Sequence, residues 1–474
     1  MEKGDIITIE IIDMTDDGKG IGRIDGMAVF VDGAVFGDAA KVCIEKVKKN
    51  YALGKAVEIV SLSPHRAGDA SVCPYIDECG GCAYGKLNYE TQLKLKEKQV
   101  KDKLERIAGI ASANVQAIIP MSDLDSNHTG YRNKAVMAVH PGDKGGPVIG
   151  FRARKSHRVV DCKTCKIQAE PVMTVAETFR EYALRENDKL GWLKEITVRT
   201  AFSTGEVMVV LGVENTKKLP DVESLILLLD DAIDEPYSLE SVAAFDGRKP
   251  EILAGKREIE DEICGLKFKI SPQSFYQVNP VQAEKLYEQV MEYAGVLSYQ
   301  AGDAPSSDDK DHTPFADDKL EVLDLYCGVG TIGLIAASRM KEKGNVFGVE
   351  YVKSAVLDAN RNAMINGIVN ALFIQGKAEE IIPEKVKTQE IKRADVVILD
   401  PPRRGCEPEL LQSVIETKAK KIVYVSCDPA TLARDLKLLI ENGYEFIECT
   451  PVDMFCHSSH VEAVILLIRR RYLE

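Results

Sequence analysis

Apolar and polar residues alternate in short runs over the first 60 residues, and this pattern predicts β-strands. The predicted strands cover residues 6–11, 27–31, 40–44 and 56–60, with a glycine-rich turn between the first two. Short strands at this spacing predict an OB-like β-barrel. We therefore predict a first domain at residues 1–62.

The pattern changes to a mixed α+β character over residues 63–268, which we predict to be a middle domain. Residues 86–108 have a helical apolar face, and a helix at 86–110 is expected to pack on the domain that follows. The lysines of this helix are predicted to form a solvated face. Strands are predicted at residues 131–136, 149–152, 196–199 and 207–211.

Basic side chains concentrate on the first two strands of this middle domain and the turn after them. They are Arg132, Lys134, Arg152, Arg154, Lys155, His157 and Arg158. Two neighbouring basic strands suit a phosphate backbone, so an RNA-binding surface is predicted here.

Strands and helices alternate regularly in the last part of the chain. Strands are predicted at residues 320–325, 346–350, 394–399, 421–426 and 461–468. This alternation predicts a doubly wound, Rossmann-like domain at residues 269–474. An acidic segment at 299–319 has little to bury and is predicted to be a flexible surface insertion. The fold class is therefore multidomain α/β.

Composition narrows the possible classes of protein. The chain has 474 residues, 28% of them charged, with a net charge of -13 and no apolar run of membrane-spanning length. Its N-terminus lacks the layout of a signal peptide, so a cytoplasmic protein is expected. We also predict that it is a monomer. The negative net charge is an average and leaves room for a local RNA-binding surface.

Five of the twelve cysteines are spaced like metal ligands. Cys73, Cys79 and Cys82 follow one another at spacings of six and three, and Cys162 and Cys165 lie further along. Two C-x-x-C pairs would suit zinc, whereas the first three cysteines with one later cysteine would suit an iron–sulfur cluster. Spacing alone slightly favours the zinc site.

A glycine-rich turn with a carboxylate beyond it suggests a nucleoside cofactor. Gly328 and Gly330 follow the strand at 320–325, and Glu350 ends the next strand, where it can bind ribose hydroxyls. The spacing resembles the D-x-x-C-G-x-G turn of S-adenosylmethionine (SAM) enzymes. A dehydrogenase remains an alternative at this point.

Three further residues lie where strands of this domain begin or end. Asp400 opens an Asp-Pro-Pro-Arg turn, Cys427 follows the strand at 421–426, and Glu462 begins the last strand. A helix is predicted directly after Cys427, and a helix N-terminus is expected to lower the pKa of the thiol. Methylation of uracil at carbon 5 needs such a set: a thiolate for carbon 6, a base for the proton on carbon 5, and a partner for the ring N–H.

Five motifs occur in the order found in one family: SPQSFYQVN, DLYCGVGTIGL, LDPPRRG, VSCDPATLARDL and HVEAVILL. The chain thereby resembles the SAM-dependent RNA uracil-C5 methyltransferases of the RumA/TrmA type. GKGIGRIDGMAVFVDGAVFGD resembles a TRAM domain, which, with the spacing of the first three cysteines, is typical of the 23S ribosomal RNA branch. Alternatives are a transfer RNA enzyme, a methyltransferase acting on another RNA base, and a non-catalytic RNA-binding protein.

The resemblance implies a role for each motif residue. Cys427 would be the nucleophile, Glu462 the base and Asp400 the partner of the uracil ring. The implied cofactor residues are Gln277, Tyr326, Gly328, Gly330, Thr331, Glu350 and Asp400. The metal site would be a 4Fe–4S cluster held by Cys73, Cys79, Cys82 and Cys165, with zinc as the alternative metal and Cys162 as the alternative fourth ligand. Cys456 departs from the family, which has proline there.

Overall fold

The structure is a computed structural model that describes residues 1–68, 72–121, 128–141, 146–296, 319–388, 390–391 and 394–472. Of the predicted insertion at 299–319, only Lys319 falls within these ranges. Across the described residues, none of the helices combines the length and the apolarity that crossing a membrane requires.

The N-terminal strands form one six-stranded sheet in the order β1-β5-β6-β4-β3-β2. They are β1 (Ile6–Glu10), β2 (Asp13–Met14), β3 (Gly20–Ile24), β4 (Met27–Asp32), β5 (Ala39–Val47) and β6 (Tyr51–Ser61). The sheet curls so that β1 contacts β3. Ile9, Val31 and Val42 fill its centre. The pattern of short strands predicted from the sequence is confirmed.

Helix α1 (Tyr89–Lys103) lies between this sheet and the middle sheet along the chain. The Asn88 side chain accepts the N–H of Thr91 at 3.0 Å and caps its first turn. The helix continues as a π-turn over Leu104–Ala108 and stops at Gly109, whose φ of 71° an L-residue rarely adopts. Val100 and Leu104 are fully buried in the core of the C-terminal sheet.

The middle of the chain forms a seven-stranded sheet in the order β13-β12-β11-β10-β7-β8-β9, with a separate hairpin of β14 and β15. The strands are β7 (Lys134–His140), β8 (Val148–Arg152), β9 (Val159–Asp161), β10 (Leu193–Thr200), β11 (Glu206–Val213), β12 (Ser238–Phe245), β13 (Glu251–Gly255), β14 (Ile259–Ile263) and β15 (Leu266–Ile270). Helices α2 (Glu170–Arg185) and α3 (Glu223–Ala232) pack together on its apolar face.

The C-terminal sheet has seven strands in the order β18-β17-β16-β19-β20-β22-β21. They are β16 (Leu320–Leu325), β17 (Gly344–Glu350), β18 (Ala371–Gln375), β19 (Val396–Leu399), β20 (Lys421–Ser426), β21 (Tyr444–Val452) and β22 (Glu462–Arg469). The accompanying helices are α4 (Pro280–Ala294), α5 (Thr331–Met340), α6 (Lys353–Ile365), α7 (Ala378–Lys387), α8 (Pro408–Thr417) and α9 (Pro429–Glu441).

This sheet is parallel from β18 to β20, and β22 runs antiparallel to both of its neighbours, β20 and β21. Strand β16 is paired with β17 on one side and β19 on the other, so the chain changes direction across the sheet at this point. In a doubly wound sheet the carboxyl ends of the strands at this switch form the ligand crevice. The start of β22 lies at the same edge because that strand is reversed.

Candidate active site

A cavity of about 800 Å³ opens at the switch point. All the residues that the sequence predicts for catalysis line it, namely Asp400, Cys427 and Glu462. Of the predicted cofactor residues, Gln277, Tyr326, Gly328, Thr331, Glu350 and Asp400 line it as well, and Gly330 lies within the turn they share. The volume is large enough for a nucleoside cofactor together with a base.

The predicted cofactor turn has an unusual backbone. Tyr326, Gly328 and Gly330 all adopt left-handed conformations, with φ values of 63°, 56° and 79°. A Cβ atom on Gly330 would lie 2.9 Å from the Phe373 ring, so glycine is needed there both for its φ and for space. For Tyr326 the left-handed conformation is a source of backbone strain, as often found at binding sites.

Glu350 links the second strand to this turn. One carboxylate oxygen accepts the N–H of Gly328 at 3.1 Å, and the other accepts the N–H of Val352 at 2.8 Å. Each carboxylate oxygen can accept a second hydrogen bond. The arrangement therefore holds Glu350 in a fixed position from which it could bind ribose hydroxyls.

Asp324 also belongs to this cavity, although it was absent from the predicted site residues. Its Oδ2 accepts the N–H of Gly333 at 2.9 Å, while its buried Oδ1 has no hydrogen-bond partner among the described residues. Burial raises the pKa of Asp324 to about 7. Its position as the Asp of the D-x-x-C-G-x-G pattern was the signal that could have identified it.

Cys427 lies between β20 and α9, but the prediction about its pKa is wrong. Burial and the nearby Glu462 carboxylate raise the pKa of the thiol to about 11, and Arg403 only partly opposes them. The helix N-terminus is already capped, because the Asp428 carboxylate accepts the N–H groups of Ala430 and Thr431 at 2.9 and 3.1 Å. The helix therefore supplies little free positive potential to the sulfur.

Two of the carboxyl groups that line the cavity, those of Glu462 and Asp400, also raise the pKa of Cys427. Burial raises the pKa of Glu462 to about 8, with a further contribution from Asp400, and Arg403 opposes the shift. Burial alone raises the pKa of Asp400 to about 7. Both groups can therefore change protonation state near neutral pH, which is the range required of an acid or base.

Arg403 and His460 form the polar rim of this part of the cavity. The Arg403 guanidinium lies 3.4 Å from Nε2 of His460. Burial, and then the Arg403 charge, lower the pKa of His460 to about 4, so the imidazole is neutral at pH 7. Phe455 lines the same wall and meets the His460 ring edge-on at 6.3 Å between centroids. Phe455 was not among the predicted site residues.

Residues in and next to the middle sheet support the part of the cavity wall that contains Gln277. The buried Arg199 guanidinium donates to the carbonyl of Ser274, and the Asn133 amide donates to the carbonyl of Gln277 at 3.0 Å. Phe275, between them, is 66% exposed and lines the cavity. The middle sheet thus supports this wall from outside the cavity, whose lining residues lie between Gln273 and Glu462.

The predicted metal ligands lie close together at a second, much smaller cavity. Cys73, Cys82 and Cys165 line it together with Ile76 and Ile167. Burial, followed by the neighbouring Cys165, Cys79 and Cys73 thiols, raises the pKa of Cys82 to about 12.

Cys79 instead contacts Cys162, whose thiol hydrogen bond holds the pKa of Cys79 below its usual value. In the described part of the chain, no three His, Cys, Asp or Glu side chains are arranged to hold a metal ion. The number and type of donors fit a thiolate-bound centre. The present arrangement of the sulfurs does not enclose one.

The predicted basic surface is partly neutralised by carboxylates. Lys155 pairs with Asp17 at 2.5 Å, and Arg154 lies 3.9 Å from Asp32, so both reach the N-terminal sheet. Arg158 pairs with Glu78 at 2.9 Å. Lys155 and Arg154 thus connect the middle domain to the N-terminal domain, in addition to any contact with RNA.

Two family models match the chain. The model described as tRNA (Uracil-5-)-methyltransferase matches residues 313–470, and the TRAM domain model matches residues 1–57. The chain is 38% identical over 480 residues to an RNA methyltransferase of Halalkalibacterium halodurans, with 98% of each chain covered. It is 40% identical over 480 residues to an RNA methyltransferase of Caldanaerobacter subterraneus, again with 98% of each covered.

The fold is also similar to a solved structure over nearly its whole length. The crystal structure of Pyrococcus abyssi tRNA (uracil-54, C5)-methyltransferase in complex with S-adenosyl-L-homocysteine superposes with a TM-score of 0.70 at 28% identity. The match covers 98% of this chain and 100% of that one.

Proposed function

Because this chain belongs to the family of SAM-dependent RNA uracil-C5 methyltransferases, we propose that it methylates a uridine of 23S ribosomal RNA through a covalent adduct with Cys427. One observation carries the proposal. The Cys427 thiol and the Glu462 and Asp400 carboxyl groups line the same cavity as the cofactor turn. These three groups come from the ends of three different strands and meet in one cavity, as a single reaction at the uracil ring requires.

The proposed reaction begins at the uracil ring. The Cys427 thiol loses its proton to solvent and its sulfur bonds to carbon 6. The double bond between carbons 5 and 6 is lost, and carbon 5 becomes nucleophilic. Carbon 5 then takes the methyl group that bound SAM would supply, with the sulfonium carbon–sulfur bond broken and S-adenosylhomocysteine as the leaving group. Glu462 then takes the proton from carbon 5, the sulfur–carbon 6 bond breaks, and the ring double bond returns.

The surrounding groups support these steps. We propose that Asp400 accepts the ring N–H, and the Arg403 charge favours the thiolate of Cys427. We propose that Glu350 and the turn at Gly328 bind the ribose and the cofactor's adenosine. Since the target base must reach a sulfur that lines a cavity, it has to leave its stack in the RNA.

The direct test is Cys427→Ala assayed with RNA and SAM labelled in the methyl group. The variant should lose methyl transfer while it binds SAM as the wild type does. Cys43→Ala, a thiol in β5 remote from the cavity, is the matched control and should keep full activity. Full activity in Cys427→Ala would refute the mechanism.

A second variant tests the role of the base. Glu462→Gln should accumulate methylated RNA bound covalently to the protein, because the proton on carbon 5 is not removed. The adduct should survive a denaturing gel and should disappear when Cys427→Ala is added. If Glu462→Gln turns over normally, another residue is the base.

The RNA class is proposed from the N-terminal domain and the cysteine site together. A transfer RNA substrate is the second candidate, favoured by the similarity to the Pyrococcus abyssi enzyme over the whole chain. Mapping 5-methyluridine in RNA from cells with and without the gene separates the two. Loss from 23S ribosomal RNA supports the proposal, whereas loss from transfer RNA alone contradicts it.

We propose that Cys73, Cys79, Cys82 and Cys165 hold a 4Fe–4S cluster with a structural role, because the methylation chemistry transfers no electrons. In support, three of these thiols line one cavity and the fourth lies beside them. Protein purified without air should be brown and contain iron and sulfide. A colourless protein that contains zinc would favour the zinc alternative.

The proposed location is the cytoplasm. All twelve cysteines fall within the described residues, and none forms a disulfide. A reducing compartment keeps such thiols available for catalysis and for a cluster.

A further inference from the structure

The segment from Asp453 to His460, here called the 453–460 loop, connects the two cavities. Phe455 and His460 line the active-site cavity, whereas His457 lines the cysteine cavity. The loop leads directly into β22, which begins with Glu462. Its conformation therefore affects the wall of the active site next to the proposed base.

Helix α1 holds this loop from behind. Tyr89, Gln92 and Lys96 are three and four residues apart, so their side chains project from one face of the helix. The Tyr89 hydroxyl donates to Oδ2 of Asp453 at 2.9 Å, and the Gln92 side chain accepts the N–H of His457 at 2.8 Å. Each of these contacts joins residues that are more than 300 positions apart in the chain.

The third contact is an ion pair with no exposure to solvent. Lys96 Nζ lies 2.6 Å from Oδ1 of Asp453, and both side chains are 0% exposed. Lys96 also donates to the carbonyl of Phe455 at 2.9 Å, and the N–H of Phe455 donates to Oδ1 of Asp453 at 3.3 Å. The ion pair thus holds the backbone of Phe455 on both sides.

Stability alone does not account for this pair. Two apolar residues of similar volume usually stabilise a core at least as well as a buried ion pair, because each charge loses its hydration. What apolar residues cannot do is fix a carbonyl and an N–H by directed hydrogen bonds. The pair therefore determines the position of Phe455 more than it adds to the free energy of unfolding.

The position of Phe455 indicates whether it contacts SAM or the RNA base. Phe455 lies on the wall with His460, which is 3.4 Å from Arg403, whereas Gly328 and Glu350 belong to the cofactor turn. An aromatic ring on this wall offers a stacking surface to a base that has left its own stack.

We propose that Lys96 and Asp453 are positioning residues that hold Phe455 against the uracil ring. The proposal rests on the proposed function, since it assigns the wall to the RNA base. Helix α1 lies outside the C-terminal sheet, and the proposal has it help to shape the binding site for the uracil base. It predicts that loss of the pair affects the use of RNA and leaves SAM binding intact.

The test replaces the pair by apolar residues in Lys96→Met/Asp453→Leu. This double variant leaves no unpaired buried charge, so it should fold and melt close to the wild type. We expect kcat/KM for RNA to fall at least about ten-fold, while the SAM dissociation constant changes by less than about two-fold. Lys94→Met is the matched control, since Lys94 forms only an exposed pair with Glu90 on the same helix, and it should behave as the wild type.

A third variant shows whether the pair acts through Phe455. Phe455→Ala should lower kcat/KM for RNA by itself, and adding it to the double variant should cause no further loss. Additive losses would overturn the proposal, as would an unchanged kcat/KM in a stable double variant. Methylation by the wild-type enzyme is measured first, so that failure of the proposed function is seen separately from failure of this inference.

Discussion

The carboxylate of Asp428 accepts the N–H of Ala430 at 2.9 Å and so caps helix α9 immediately after Cys427. A carboxylate at this position removes the positive potential that a free helix N-terminus would offer to the sulfur. Activation of the thiol then depends on Arg403, the cationic group that lowers its pKa against burial and Glu462. The reactivity of Cys427 follows from this balance.

Cys427 should be poorly reactive in the free enzyme. With a pKa of about 11, only about one thiol in a thousand is ionised at pH 8. Alkylation by iodoacetamide, measured on the Cys427 peptide by mass spectrometry, should accelerate towards pH 11. Arg403→Met should make alkylation slower than in the wild type, and Arg403→Lys, which keeps the positive charge, should slow it less than Arg403→Met does. A reaction midpoint below pH 8 would contradict the burial argument.

The pH dependence of methylation should show the raised pKa of Glu462. A carboxylate whose pKa is about 8 is mostly protonated at pH 7, and a protonated carboxyl cannot accept the proton from carbon 5. Activity should therefore rise as the pH increases, and log kcat should climb more steeply below pH 8 than above it. Equal slopes on both sides would show that Glu462 does not titrate there.

Glu350 should contribute to SAM affinity. Its carboxylate is held by the N–H groups of Gly328 and Val352, and its remaining acceptor capacity suits two ribose hydroxyls. Hydrogen bonds to a charged group contribute about 1.5–3 kcal/mol, so Glu350→Ala should raise the SAM dissociation constant about 10- to 100-fold. Calorimetry measures this directly. Glu58→Ala, which removes an exposed partner of Lys41 away from the cavity, should leave the constant unchanged.

The two candidate fourth cysteines should differ in their effect on bound iron. Cys165 lines the cavity with Cys73 and Cys82, whereas Cys162 is buried beside Cys79. Cys165→Ser should therefore lose iron during anaerobic purification, and Cys162→Ser should retain it. The reverse pattern would make Cys162 the fourth ligand.

Much of this architecture can be predicted from contiguous patterns. The strand–turn–helix units around Gly328, Asp400 and Cys427 are local, and the carboxyl ends of parallel strands necessarily meet at one edge of a sheet. Convergence of these residues on one cavity thus follows from the pattern together with the topology. The Asp-Pro at 428–429 is also a recognisable helix start, so the cap on α9 could have been anticipated.

The electrostatic character of the site depended on tertiary structure. Burial sets the pKa of Cys427 and of Glu462, and burial depends on packing between distant segments. The sequence shows Lys96 as one of several helical lysines, for which a solvated face is the reasonable expectation. Only the docking of α1 against the 453–460 loop encloses Lys96 with Asp453, because a charge is tolerated in a core only where its partner is also placed.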